Sequence, residues 1–507
     1  MKIGLLPDNV VAVSANYRAK IFYLLSYILG PGLCLMALVW LRDRIRRPGL
    51  LIIGTAVWSV VIYRVLGVQM DAPGPEVLAL SLAVALPVLL CWLAMRGKEA
   101  GCPQSHGAAS ESETRGPEPG RGVRYLAYLG ALFVIAIALL PRSFGTLVRG
   151  LEHIHHIVSF ILGPALYSRF GQGLVPGIDY FTQYGVGQGF IFSWFISTTP
   201  AQTVLNYMVF FIGAMLFFSF TSFHLLYSTS RSVGWALLMT LAALVLQFHF
   251  AGRHFWDPSS HFIRYPLLCV VAYLFVRSNR DRANWLLWAL LSAAVGFSLF
   301  WNTETGIYLF LASFLSVCLM GGLRPPALAR SVLVACGALV VFLLLSGLAF
   351  GGRALSLAYL QGVIAPLKIY SGGFGGLAMG WKGGWVYVYN LLSPALCIFS
   401  VSWAFYRTCL RRDEGAVPNL DLLVIMGFLS LAFFMKYLNK SLVGVWCVDS
   451  YPSMIVMGWW GLHLVRSFGR VKAIVSMKNI VRVCLVVLLV LFVYAPHETR
   501  YKNGLKY

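Results

Sequence analysis

The chain has 507 residues, of which 59% are hydrophobic and only 11% charged, and its mean hydropathy is +0.76. A soluble domain carries about 25% charged residues, so a water-soluble fold of this composition would have no surface to show. The formal charge of +22 does not indicate nucleic acid either, because Lys and Arg sit in short connectors between apolar runs, as orientation signals do, and no basic domain stands outside those runs.

The N-terminal residues before the first apolar run lack the compact basic, apolar and small-residue order of a cleaved signal peptide, so the first span is expected to stay. Apolar runs long enough to cross a bilayer core as helices predict spans near 21–41, 50–68, 77–95, 125–141, 203–227, 233–250, 264–277, 285–300, 305–322, 331–350, 386–406, 421–436, 451–466 and 483–495. The fold class expected is therefore all-α, a polytopic transmembrane bundle of about fourteen spans.

If the basic connector at 42–47 is cytoplasmic, alternation places the basic connectors 96–124, 277–282, 324–330, 407–412 and 466–482 on the same side. The opposite side then receives the longer connectors 142–202, 251–263, 351–385 and 437–450. Residues 96–123 are rich in Gly, Ser, Pro and Glu with almost nothing apolar, and read as a flexible cytoplasmic linker. That linker divides the chain into three accessory spans over 1–95 and a larger core over 124–507. Most of the ten cysteines fall inside apolar runs, where they act as small buried hydrophobes, and no zinc spacing or disulfide framework is present.

The outer segment 142–202 is too apolar and aromatic for a loose tether. Its stretch LEHIHHIVSFILGPALYSRF has the spacing of amphipathic helices lying at the membrane surface, with Glu152, His155, His156 and Ser159 on one face. The segment continues GQGLVPGIDYFTQYG, where Asp179, Tyr180, Gln183 and Tyr184 cluster between Gly and Pro punctuation.

An acidic residue and histidines shortly after a span, followed by that Gly, Pro, Asp and Tyr-bearing run, resemble the first outer loop of the GT-C superfamily, integral membrane glycosyltransferases that take sugar from a polyprenyl-phosphate donor. Three later stretches, GRHFWDPSSHFIRYP, FWNTETG and YLNKSLVGVWCVDSYPS, add to the likeness, which covers roughly residues 124–470. The resemblance implies a GT-C-like core in a plasma membrane, such as a bacterial inner membrane. Its active site would face the periplasm, and its partners would be a polyprenyl-phosphate sugar donor, a glycan or lipid-linked acceptor, and membrane lipids. The family usually offers an aspartate as the catalytic residue of this loop; here Glu152 stands at the matching place, and Glu152 and Asp179 remain alternatives.

The chemistry asks for the same residue types. Inverting transfer of a sugar from a lipid phosphate to a hydroxyl needs a carboxylate to take the proton and cations to hold the leaving phosphate. Glu152 is the first candidate base and Asp179 the second, although Asp179 also suits a turn that hydrogen-bonds its own backbone. Arg253 and Arg264 bracket one outer loop and Lys436 and Lys440 begin another, so these four are the phosphate candidates, with interfacial anchoring as their ordinary role. Glu152 with His153, His155 and His156 offers ligands that suit a divalent cation. Adjacent histidines point in different directions on a helix, however, so lining a polar groove is the favoured role and no cofactor is assigned with certainty.

Asn302 and Glu304 form a polar tip between two spans, read either as a plain turn or as a contact to sugar hydroxyls. The Gly-rich run over 371–385 lacks a phosphate-loop signature, and Trp381 or Trp385 could stack on a sugar in a hinged lid. Two other classes are weighed beside the transferase: a polymerase or ligase of lipid-linked polysaccharide, and a transporter, which would bury charged pairs at mid-span depth.

Overall fold

The computed structural model describes residues 162–170, 185–245, 261–373, 385–411, 419–439 and 450–468, together with parts of 122–132 and 173–182. The spans expected at 21–41, 50–68, 77–95 and 483–495, the linker 96–123 and most of the span at 125–141 lie outside the described residues. The described part is helical, with one isolated bridge between Pro176 and Tyr180 as its β feature.

The helices in chain order are α1 (Gly163–Phe170), α2 (Val186–Ser193), α3 (Pro200–Ser230), α4 (Val233–Val245), α5 (His261–Arg264), α6 (Leu268–Arg280), α7 (Trp285–Trp301), α8 (Thr303–Met320), α9 (Pro325–Phe350), α10 (Leu357–Gly373), α11 (Trp385–Phe405), α12 (Leu420–Asn439) and α13 (Tyr451–Phe468). Their ends follow local chemistry. Thr199 caps α3 by accepting from the Gln202 amide, Pro200 occupies its first turn, and Arg231 ends it in the left-handed region. Asn302 caps α8 by accepting from the Thr305 amide at 3.2 Å.

Three helices, α3, α8 and α9, are long and apolar enough to cross a membrane. At 31 residues α3 is about 46 Å long, more than the hydrocarbon core alone requires. Only 22% of the apolar window of α9 is buried against the rest of the chain, against 56% for α8, so α9 is peripheral and α8 central. With the composition of the chain, these helices make it a membrane protein.

Close helix contacts use small residues, as packing in lipid requires. A Cβ on Gly296 of α7 would stand 2.5 Å from the Ala338 carbonyl oxygen of α9, and one on Gly337 would meet Ser292 at 3.0 Å. Buried hydroxyls tie further helices together: Ser222 of α3 to Tyr451 of α13, Ser430 of α12 to Ser453 of α13, and Trp460 Nε1 to Ser400 Oγ of α11 at 2.8 Å.

The turns sort to two ends. At one, Asn419 donates to the Thr229 carbonyl, Arg280 pairs with Asp421 at 2.9 Å, Arg282 donates to the Met320 carbonyl and Gly322 lies beside the Thr408 carbonyl. This end gathers Arg231, Arg277, Arg280, Arg282, Arg324, Arg330 and Arg407, with Asp281 and Asp421 as its described carboxylates. Alternation of helix direction puts α2, α5, the α7–α8 junction and the turn after α9 at the other end.

Candidate functional site

The candidate site is built where α2, α5 and the α7–α8 junction meet. The sequence GVGQG opens α2 and lets it lie directly on that junction: Gly185 has φ +104, and a Cβ there would stand 2.6 Å from Asn302 Cα and 2.7 Å from the Trp301 carbonyl oxygen. Gly187 approaches Phe300 as closely. Only glycine fits such an approach at that φ.

One turn along α2, Gln188 is 1% exposed and donates from Nε2 to the Ile263 carbonyl at 3.2 Å. Trp301 Nε1 donates to the same oxygen at 2.6 Å, and Thr305 Oγ1 donates to the neighbouring Arg264 carbonyl at 2.8 Å. α5 is a single turn followed by Pro266, so its last carbonyls have no helical donors ahead of them. Side chains from three other elements satisfy them instead.

The Arg264 guanidinium forms an ion pair with Glu304, in the first turn of α8, and Glu304 also accepts from the Tyr308 hydroxyl at 3.2 Å. The Arg264 side chain is 9% exposed and that of Glu304 21%, so the pair is largely out of water. Aromatic rings bound it: Tyr265 stacks on Phe433 at 4.8 Å, and Tyr308 meets Phe433 edge-on at 5.5 Å. Gln188 Oε1, Asn302 Nδ2 and Thr303 Oγ1 are buried and make no hydrogen bond to a described residue. Chemically, the junction offers a guanidinium, a carboxylate and amide and hydroxyl groups within an aromatic wall, a set suited to phosphate and sugar hydroxyls.

A second cluster lies in the turn before α2. Asp179 accepts from the Val175 amide at 2.7 Å and pairs with Arg353 at 2.9 Å, while Arg353 also donates to the Gly173 carbonyl. The Arg353 hydrogen bond first, then that of Val175, hold the Asp179 carboxyl below its ordinary value. Tyr180 donates to or accepts from Ser168 at 2.9 Å, and burial pushes its hydroxyl up. Gly177 of this turn sits against Gly362 and Val363 of α10, fixing the turn to the body of the protein.

Among the residues expected from sequence, the structure brings Arg264, Asn302 and Glu304 to one junction and places Asp179 and Tyr180 in the neighbouring turn. Arg264 faces Glu304, and Asn302 is a helix cap. Trp385 begins α11 and Lys436 lies in the last turn of α12. Glu152, His153, His155, His156, Gln183, Tyr184, Arg253, Trp381 and Lys440 lie outside the described residues. Gln188, Trp301, Thr305, Tyr308 and Arg353 join the site without having been singled out by sequence. Gln188 carries a usable signal, being the one long polar side chain in the apolar run VGQGFIFS.

Comparison with protein-family models, with curated proteins and with solved structures finds no match for the chain.

Proposed function

We propose that the chain is a GT-C-like integral membrane glycosyltransferase of about fourteen spans that moves a sugar from a polyprenyl phosphate to a cell-envelope glycan or lipid-linked acceptor. The reaction takes place on the periplasmic face of a plasma membrane, and the arginine-rich end of the bundle is cytoplasmic, as the positive-inside rule requires. The observation that carries this reading is convergence. Three stretches far apart in sequence, ending at Gly185, spanning His261–Tyr265 and spanning Trp301–Thr305, meet at the end of the bundle opposite the seven-arginine end. They belong to the same stretches that resemble the superfamily.

In this mechanism a carboxylate takes the proton of the acceptor hydroxyl and cations hold the leaving phosphate. Glu152 is favoured as the base. Asp179 is a weaker base because its carboxyl is held low by Arg353 and the Val175 amide. Arg264 binds the donor phosphate, and Glu304 keeps that guanidinium oriented and neutralised while the site is empty.

The test is transfer by the full chain in proteoliposomes supplied with a labelled polyprenyl-phosphate monosaccharide. Glu152→Gln lowers turnover by a factor of about 10² to 10⁴ while the protein stays folded, and unchanged turnover removes Glu152 from the mechanism. Consumption of a lipid-linked oligosaccharide but not of the monosaccharide donor identifies a polymerase or ligase instead. A transporter would carry such a buried pair at mid-span depth, whereas Arg264–Glu304 lies at a helix junction at one end of the bundle. Solute flux without covalent transfer would favour that class.

A further inference from the structure

The arginine-rich end holds a feature that the transferase reading does not use. Arg282 lies in the turn between α6 and α7, Arg324 in the turn between α8 and α9, and Arg330 in the second turn of α9. Arg282 is fixed across the gap between the two turns, donating to the Asn279 carbonyl and side chain at 3.2 Å each and to the Met320 carbonyl at 3.0 Å. Burial, then the charges of Arg330 and Arg324, push the Arg282 guanidinium below its ordinary value, so the three cations feel one another. None of the three forms an ion pair with a carboxylate among the described residues. Asp281, the acid in the same turn, accepts from Asn284, and Asp421 is engaged by Arg280.

Below these charges the surface is apolar. α7 and α9 pack side by side through Gly296 and Gly337. Among the described residues each leaves an apolar strip uncovered next to the arginine end: Trp285, 75% exposed, and Leu286 on α7, and Val332 and Leu333, the latter 69% exposed, on α9. A lone arginine at a helix end needs no special account, since it reaches the interface by itself. Three that approach one another from two turns repel, and an anion between them relieves that repulsion. Guanidinium and phosphate form parallel charge-assisted hydrogen bonds, and the apolar strips require hydrocarbon.

We propose that Arg282, Arg324 and Arg330, with the outward strips of α7 and α9, form a binding site for one anionic phospholipid. Its phosphodiester lies among the guanidiniums and its acyl chains run along the two helices. The lipid bridges two helical hairpins from the leaflet at the arginine end, and the site is independent of the sugar-transfer chemistry.

The test uses the full chain in mild detergent, titrated with phosphatidylglycerol or phosphatidylcholine and read by native mass spectrometry. A basic residue near an anionic lipid surface contributes a factor of about five in affinity, so Arg282→Gln, Arg324→Gln and Arg330→Gln together weaken phosphatidylglycerol binding by roughly a hundredfold. Arg353→Gln, at the other end of the bundle, leaves it unchanged. If the triple variant fails to fold, the three single variants each lose about fivefold, and salt weakens binding of phosphatidylglycerol to the wild-type chain but not of phosphatidylcholine. Equal retention by folded variants and wild type overturns the proposal, as does equal affinity for the two lipids. Displacement of the lipid by inorganic phosphate also overturns it, because the site would then recognise a free anion without the helix strips.

Discussion

Replacing Glu304 by Ala leaves the Arg264 guanidinium charged in a place that is 9% exposed and removes an acceptor of the Tyr308 hydroxyl. Breaking a buried pair by removing one partner costs about 3 to 5 kcal/mol. Glu304 retains 21% exposure, and water reaching it screens part of the charge, so the expectation is the lower part of that range, about 3 kcal/mol. Arg264→Met, which takes away the cation beside the Glu304 carboxylate, costs about 2 to 3 kcal/mol, since Glu304 is the more hydrated partner and keeps its bond from Tyr308. In the double variant neither charge remains to miss the other, so its cost falls below the sum of the singles by at least about 1.5 kcal/mol. Unfolding in mixed micelles, followed by fluorescence of the Trp residues for all four proteins, measures the cycle. Strictly additive losses, or single losses within about 0.5 kcal/mol of zero, would show that the two side chains are not coupled. The account of the junction would then fall.

Two further outcomes follow from the same geometry. Gly185→Ala forces a Cβ onto Asn302 Cα at a φ that disfavours it, and costs about 2 to 5 kcal/mol in the same unfolding assay; Gly173→Ala, also at positive φ but with open space around it, costs distinctly less. Asp179 has a folded value below its unfolded one, about 3.9, so its contribution is present above that pH and is lost as pH falls through the folded value. The thermal midpoints of the wild-type chain and of Asp179→Asn therefore differ at neutral pH and converge in acid, and a gap that persists unchanged in acid shows that the Arg353 pair is not its source.

Much of the helical layout was legible in the sequence because lipid makes the signal coarse: a long apolar run bounded by charge has one structural solution. Helices α3, α7, α8, α11, α12 and α13 stand within a few residues of the runs expected near 203–227, 285–300, 305–322, 386–406, 421–436 and 451–466, and of these α3 and α8 are long and apolar enough to cross a membrane. The larger departures have local causes. The span expected from 331 begins at Pro325, because two prolines suit a first helical turn and Arg330 can sit on a helix while its charge reaches the interface. The span expected from 264 begins at Leu268, because Pro266 separates α5 from α6.

That same break explains why the site was only half legible. Arg264 and Glu304 could be chosen singly as charges beside apolar runs, but their pairing spans forty positions and depends on which helix ends are neighbours. Buried backbone carbonyls in a folded chain are paired, with backbone, side chains or water. The interruption at Pro266 frees the Ile263 and Arg264 carbonyls, and the chain must bring donors to them. Gln188, Trp301 and Thr305 are those donors, and each looks ordinary in its own segment. The residues that build the junction are thus selected by a backbone defect elsewhere in the sequence, which no local motif records. The same short segment that the break leaves behind ends in Arg264, whose guanidinium pairs with the Glu304 carboxylate in the first turn of α8.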